Sequence, residues 1–501
     1  MRSTQARQDL GPDGLIGTEA PVDRHLIGGR LVSSHGRDVV DIFNPANGAL
    51  IGRATLGDEI DTEAAIAAAK AAFPVWSRTT LDERKIWLQR IADALTERLT
   101  DLKAITIAEY GAPVTFADYI VDQARDFFVL AQELLKPENF ETKRGQSTIQ
   151  KLPVGVAGLM TPWNGSPWFV CEKAASALAA GCTVVIKPSQ LSTLQSKVLM
   201  ECFEHAGLPP GVINLVNGSG EIVGNTITRS ANVRKISFTG STRVGQMISR
   251  EAAETMKRVT LELGGKSPTI ILDDADMGKA AAFALTVGLM NTGQSCTAGT
   301  RILVSEGRLA EAKLALAAGV SKLKLGDPSA RDTVIQPMVT PAHYERVQGY
   351  IRKGISEGAE VLIGGEGKPA GFEKGNYAKP TVFVGVKNDM TIAREEIFGP
   401  VLSVITYRDE EESIAIANDT QYGLQAYVCG EDMERAHRVA NRLIAGRVTI
   451  NEFVDDPAAP FGGFKLSGIG REFGLAGLES YLETRVILDK MGTHRVQSNE
   501  E

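Results

Sequence analysis

The sequence predicts an α/β protein with parallel sheets flanked by helices. From residue 150 onward, short β-branched runs alternate with helical stretches, the pattern of strand–helix–strand units. A second alternating region runs from about 264 to 450, and no Pro/Ser-rich linker divides the two. They therefore read as two units packed tightly rather than tethered. Glycine makes up 51 of the 501 residues without any period, which calls for tight turns and close backbone approaches rather than a repetitive sequence.

Residues 1–20 are polar and Gly-rich and read as a loose arm. Ile60 to Leu99 is helical in pattern. Thr80 and Glu83 form a capping box, and Trp87, Ile91, Leu95 and Leu99 make one buried stripe. The first alternating region has strands at Val154–Met160, Thr183–Ile186, Val212–Val216 and Lys235–Phe238. Helices fall between them at Pro167–Gly181, Thr193–Gly207 and Ile222–Ser230. The second region has strands at Thr269–Leu272, Arg301–Val304, Val401–Tyr407 and Arg447–Ile450. Residues 139–152 and 480–490 read as extended segments outside both sheets, and 491–501 as a polar tail. There is no internal repeat and no heptad pattern.

Composition excludes several classes. Lys and Arg number 54 against 61 Asp and Glu, a net charge of −7, so no basic surface draws nucleic acid or an anionic membrane. The five cysteines, Cys171, Cys182, Cys202, Cys296 and Cys429, are scattered and form no CxxC, which fits neither a disulfide framework nor a metal site. A reducing, cytoplasmic location is expected. The N-terminal stretch has no apolar h-region, so no signal peptide is expected. Ala174–Ile186, the longest apolar stretch, is shorter than the ~20 residues a membrane span needs.

Parallel sheets bind ligands at the carboxyl ends of their strands, so the residues there are the candidates for chemistry. Asn164, after the first strand, is either an oxyanion donor or an Asx turn. Lys187, after the second, either reaches a ribose or phosphate or is solvated. The turn Gly240-Ser241 opens a helix and presents backbone N–H groups to an anion. Gly218-Ser219-Gly220 is a weak glycine motif, because Gly224 comes one residue too late for the dinucleotide fingerprint. Glu262, between two leucines, is either a general base with a pKa raised by burial or half of an ion pair. Cys296 lies in a loop bounded by Gly293 and Gly299, a setting that suits a nucleophile better than those of the other cysteines. None of the six histidines has a comparable setting, which counts against a Cys–His hydrolase. No Tyr is followed four residues later by Lys, so a Tyr/Lys dehydrogenase site is absent too.

Seven motifs in order then resemble the aldehyde dehydrogenase superfamily over residues 25 to 490. They are Pro162-Trp163-Asn164, Lys187-Pro188-Ser189, Phe238-Thr239-Gly240-Ser241-Thr242, Leu261-Glu262-Leu263-Gly264-Gly265-Lys266, Gly293-Gln294-Ser295-Cys296, Glu395-Glu396-Ile397-Phe398-Gly399-Pro400 and Pro460-Phe461-Gly462-Gly463-Phe464. The resemblance implies a variant Rossmann cofactor domain (21–138 and 153–262), a catalytic domain (263–465) and a β-strand arm (139–152 and 480–490) that makes a homodimer or homotetramer. It implies that Cys296 attacks an aldehyde, that Asn164 holds the oxyanion, that hydride passes to NAD(P), and that Glu262 activates the water that hydrolyses the thioester. It implies cofactor contacts for Trp163, Lys187, Ser189, Gln190, Gly240, Ser241, Glu396 and Phe398, and a proton-relay role for Glu472.

Three positions depart from the family pattern. Gln190 stands where NAD-using members usually carry Glu, so NAD is expected as the main cofactor with NADP also accepted. Gly165 and Ser166 replace an aromatic residue and Pro. Gly165, Trp168, Phe169 and Phe453 would then make a wide apolar tunnel for a medium-chain aliphatic or aromatic aldehyde. Glu172, Asp455 and Asp456 would instead favour an amino-aldehyde if they lined the mouth; otherwise they face solvent or pair with Arg or Lys. The competing activities are a coenzyme-A-acylating enzyme, which typically lacks the acid at Glu262, and a catalytically silent binding protein.

Overall fold

A computed structural model describes residues 21–488. The expected arm at 1–20, the tail at 491–501 and residues 489–490 lie outside the described residues. The larger sheet has eight strands. Five are parallel, in the order Arg258–Glu262, Val233–Thr239, Val156–Met160, Thr183–Lys187 and Ile213–Leu215. Gly468–Ile469 closes one edge antiparallel, and the hairpin Arg24–Ile27 and Arg30–Ser33 closes the other. The strands Val156–Met160 and Thr183–Lys187 are buried at every position, as helices on both faces require.

The second sheet has seven strands in the order Glu360–Ile363, Thr381–Val384, Val401–Tyr407, Arg301–Ser305, Pro268–Ile271, Gln425–Cys429 and Arg447–Ile450. All are parallel except the first. The chain crosses from one sheet to the other through Leu263–Ser267, from the carboxyl end of one parallel strand to the amino end of the next. This crossing sets the carboxyl edge of the first sheet against the amino edge of the second.

The helical stretch predicted from Ile60 to Leu99 is two helices, Glu59–Trp76 and Leu81–Thr96, separated at Ser77–Thr80. The Thr80–Glu83 capping box starts the second. Its buried stripe is Leu88, Ile91, Ala92 and Leu95. Trp87 stands at the edge, with the Arg90 guanidinium 4.5 Å over its ring. The helix Ser166–Ala180 is buried at every residue but Trp168, because it runs beneath the helix Val114–Glu133 and against the first sheet. Glu141–Arg144, Ser147–Pro153 and Leu482–Leu488 form a separate three-stranded antiparallel sheet. Its outer strand exposes Val486, Ile487 and Leu488. Among the described residues, no helix is long and apolar enough to cross a membrane.

Candidate active site

The loop that carries Cys296 begins where the helix Met277–Gly288 stops. Asn291, Thr292 and Gly293 all take left-handed backbone angles, with φ of 53°, 56° and 71°. Two of these are not glycine, and their strain is held by specific bonds. Thr292 Oγ1 accepts the Gln336 N–H at 2.9 Å. The Gln294 side chain donates to Pro337 O at 3.2 Å and accepts from the Val339 N–H at 3.1 Å. Two motif glycines mark the points where backbone touches backbone. A Cβ on Gly265 would lie 2.2 Å from Cys296 O, and one on Gly293 would lie 2.1 Å from Gly399 O. Cys296 is half-buried, whereas the other four cysteines are fully buried.

These loops enclose a cavity of about 220 Å³ at the meeting of the two sheet edges. Cys296, Glu262, Asn164, Glu396, Phe398 and Phe169 line it. Asn164 Nδ2 donates to Gln294 O at 3.0 Å, and Asn291 Nδ2 donates to Asn164 O at 3.3 Å. The amide is thereby fixed in the wall of the cavity it shares with Cys296. Glu262 is 2% exposed, and neither carboxyl oxygen has a hydrogen-bond partner. Burial raises its pKa well above the ordinary carboxylate range, and the charge on Glu472 raises it further. Burial pushes the Cys296 thiol up to about 12, with Glu396 and Glu262 adding to the effect. Glu396 Oε1 accepts the Gly265 N–H at 2.9 Å, and burial carries this carboxyl to about 7.

Residues that the sequence reading missed complete the wall. His343 and Arg346 line the same cavity. His343 Nε2 bonds Phe398 O at 2.7 Å, and burial lowers its pKa. It braces Phe398, which sits at φ 64°. Trp163 packs edge-on to both, with centroids 5.6 Å from His343 and 5.5 Å from Phe398. The available signal was Thr340-Pro341, a cap followed by a first-turn Pro, which sets His343 on the first turn of a helix.

The remaining candidates lie along the carboxyl edge of the first sheet. Gly240 and Ser241 line the cavity, and Ser241 caps the helix Thr242–Ala253. Lys187 is buried at the end of its strand, and its Nζ donates only to Pro188 O, at 2.9 Å. Burial lowers its pKa to about 8. Ser189 accepts the Leu191 N–H, and Gln190 is exposed.

The expected tunnel residues divide. Gly165 faces Phe169, which would stand 3.5 Å from an added Cβ. Trp168 belongs to an aromatic stack with Phe127 and Phe473. Phe453 is 43% exposed and does not line the cavity. Glu172 is not at the mouth. It is 2% exposed in the interior, with its carboxyl 4.0 Å from Lys173 Nζ. The expectation put Gly165, Phe169 and Glu172, about one turn apart, on one tunnel-lining face, whereas this helix is buried at every residue but Trp168. Asp455 pairs with Arg447 at 3.2 Å and takes the Tyr119 hydroxyl, and the Asp456 carboxylate accepts the Ala458 N–H.

Parallel sheets meeting edge to edge over a thiol and an unpartnered carboxyl group give this chain the architecture of an α/β enzyme. Comparison supplies the family. The aldehyde dehydrogenase family model matches residues 31–487, and the chain belongs to that family. It is 44% identical over 465 residues to a putative aldehyde dehydrogenase of Staphylococcus haemolyticus, covering 93% of this chain and 98% of that one. A mutant of aldehyde dehydrogenase C from Pseudomonas syringae, in complex with NAD+ and octanal, matches with 43% identity and a TM-score of 0.92, covering 93% of this chain and 96% of that one. Betaine aldehyde dehydrogenase from Staphylococcus aureus, in complex with NAD+, matches with 36% identity and a TM-score of 0.91, covering 96% and 97%.

Proposed function

We propose that this enzyme oxidises a medium-chain aliphatic or aromatic aldehyde to the carboxylic acid through a covalent intermediate on Cys296. The observation that carries the reading is the bare, buried carboxyl of Glu262 sharing one small cavity with Cys296 and Asn164. The thiol gives its proton to water, the sulfur forms a bond to the aldehyde carbon as the carbonyl π bond opens, and Asn164 Nδ2 together with the Cys296 N–H hold the oxygen. After oxidation, a water deprotonated by Glu262 attacks the thioester carbon, the C–S bond breaks, and the sulfur leaves as the thiolate. A base buried without partners has the raised pKa this step needs. Its presence favours hydrolysis over transfer to coenzyme A.

The residues along the sheet edge fit NAD. Lys187 ends its strand with a buried ammonium bonded only to its neighbour's carbonyl, a donor suited to ribose hydroxyls. The helix opened by Ser241 directs N–H groups toward a pyrophosphate. Glu396 lines the cavity with one oxygen bonded to the Gly265 N–H, and we assign it to the second ribose, while Phe398 and Trp163 form an aromatic wall for the ring. When bound, NAD supplies a cationic ring that stabilises the thiolate and accepts the hydride. Gln190 carries no charge to repel a 2′-phosphate, so NADP is accepted as well. The exposed strand Leu482–Leu488 is the surface we assign to a homodimer or homotetramer.

Burial of Glu172 and the pairing of Asp455 remove two of the three acids that would recruit an amino-aldehyde, the Asp456 carboxylate is tied to the Ala458 N–H, and Phe169 leaves an apolar wall. Octanal, an aromatic aldehyde, an ω-aminoaldehyde and its uncharged isostere, each with NAD and NADP, test the reading. The expected order of kcat/KM puts octanal and the aromatic aldehyde first; a preference for the aminoaldehyde over its isostere would contradict it.

A further inference from the structure

The helices Met277–Gly288 and Leu309–Val320 pack against each other, and Gly278, Ala282, Ala315 and Ala318 stand where larger side chains would fill the space beside them. What remains is a groove of about 790 Å³. Phe116, Leu285, Leu323 and Val334 give it apolar walls. It is several times larger than the catalytic cavity and shares no lining residue with it. The groove opens to solvent at Ala282, Ala318 and the 47% exposed Val334. A hollow of this size and lining has the character of a site for a small amphipathic molecule.

Two features restrict what it takes. The first is a cationic rim, where Lys322 and Arg331 stand. Lys322 has no ion-pair partner among the described residues. Arg331 lies 3.9 Å from Asp118, which Lys103 already holds at 3.3 Å, and Asp332, the acid at the rim, is taken by Lys324. Positive charge is therefore left over for an anion, while the walls call for a hydrocarbon chain. The second feature is the inner end, which Leu289, Met290 and Asn291 close. Asn291 opens the loop that carries Cys296, and its Nδ2 donates to Asn164 O at 3.3 Å and to Gln294 O at 3.0 Å. A molecule seated against it presses on the residue that ties Asn164 to the nucleophile loop.

We propose that this groove is a second ligand site, for a medium-chain carboxylate such as octanoate or decanoate, and that its occupancy is felt at Cys296. The carboxylate lies between Lys322 and Arg331, and the chain runs inward over Leu285 and Phe116 toward Asn291. The choice of a medium chain rests on the proposed oxidation of medium-chain aldehydes, whose product has this chemistry. The site then reports product accumulation to the loop that makes the product. Coupling requires only that the ligand contact two arrangements of the strained turn unequally.

Calorimetric titration of hexanoate, octanoate, decanoate and decanol into the wild type and three variants tests the site without turnover. In the wild type, each added methylene tightens carboxylate binding about fourfold. Lys322→Gln weakens decanoate about fivefold and leaves decanol unchanged. Ala318→Trp and Ala282→Trp fill the groove from the surface, one from each helix, and abolish the binding. Coupling is read as alkylation of Cys296 by iodoacetamide at pH 9. Saturating decanoate changes that rate in the wild type and not in the two filled variants. No saturable binding to the wild type would overturn the proposal. So would decanoate that binds the filled variants as it binds the wild type, which is the behaviour of a carboxylate held only in the catalytic cavity. An alkylation rate that is unchanged in the wild type, or altered equally in all, would overturn the coupling. An enzyme that binds decanoate in this way but turns over no octanal would instead overturn the proposed oxidation and leave the site standing.

Discussion

The two ends of the proposed cofactor groove are built on different terms. Around Cys296, backbone packs on backbone. Gly265 touches the Cys296 carbonyl, Gly293 touches that of Gly399, and a strained turn is pinned by Thr292, Gln294 and Asn291. Around Lys187 to Gln190, the strand ends in a short turn, and Gln190 points into solvent. The first end tolerates no extra atom, so its residues are dictated. The second end leaves a choice open, and cofactor preference is decided there.

The largest expected effect is at the packed end. Cys296→Ala removes the proposed nucleophile and should lower kcat/KM about 10⁴-fold or more while NAD still binds; retained turnover would break the comparison at its root. Gly265→Ala comes next. Its methyl group must displace the Cys296 carbonyl, and a shift of about 1 Å in a reacting group costs about 10²-fold. Equal stability and activity in that variant would show that the contact is not tight.

The thiol offers a sharper probe. Because burial and two neighbouring carboxyl groups hold Cys296 near 12, the free enzyme is a neutral thiol at neutral pH. Alkylation by iodoacetamide should therefore rise with pH from 6 to 10 without a plateau, and NAD should bring the plateau into that range. A plateau below pH 8 without NAD would contradict the assigned environment. The smallest effect belongs to the open end. Gln190→Glu restores a charge worth about 1 kcal/mol against a 2′-phosphate, so the NAD/NADP ratio of kcat/KM should rise about 5-fold. An unchanged ratio would remove Gln190 from the argument.

The same contrast explains what could be read from the sequence. The parallel strands announced themselves as β-branched runs because both faces are buried, and the glycine-bounded motifs because no other residue fits between touching backbones. Glu172 was misplaced because the charge of a residue says nothing about a helix that neighbours cover on every side; only the fold shows it buried, with its carboxyl 4.0 Å from Lys173 Nζ. His343 was passed over because its partner is a carbonyl 55 residues further on, a contact with no local pattern. Glu59–Trp76 and Leu81–Thr96 read as one stretch because their apolar spacing continues across the break at Ser77–Thr80.

The central claim is that Glu262 acts after the oxidation step, on an acyl group held by Cys296. Glu262→Gln, mixed rapidly with octanal and NAD, tests it most directly. The account predicts a burst of reduced cofactor near one equivalent per active site, turnover slowed about 10²-fold or more, and an intact-mass increase equal to one octanoyl group that maps to Cys296. A burst that falls in step with turnover, with no acyl group on the protein, would contradict it.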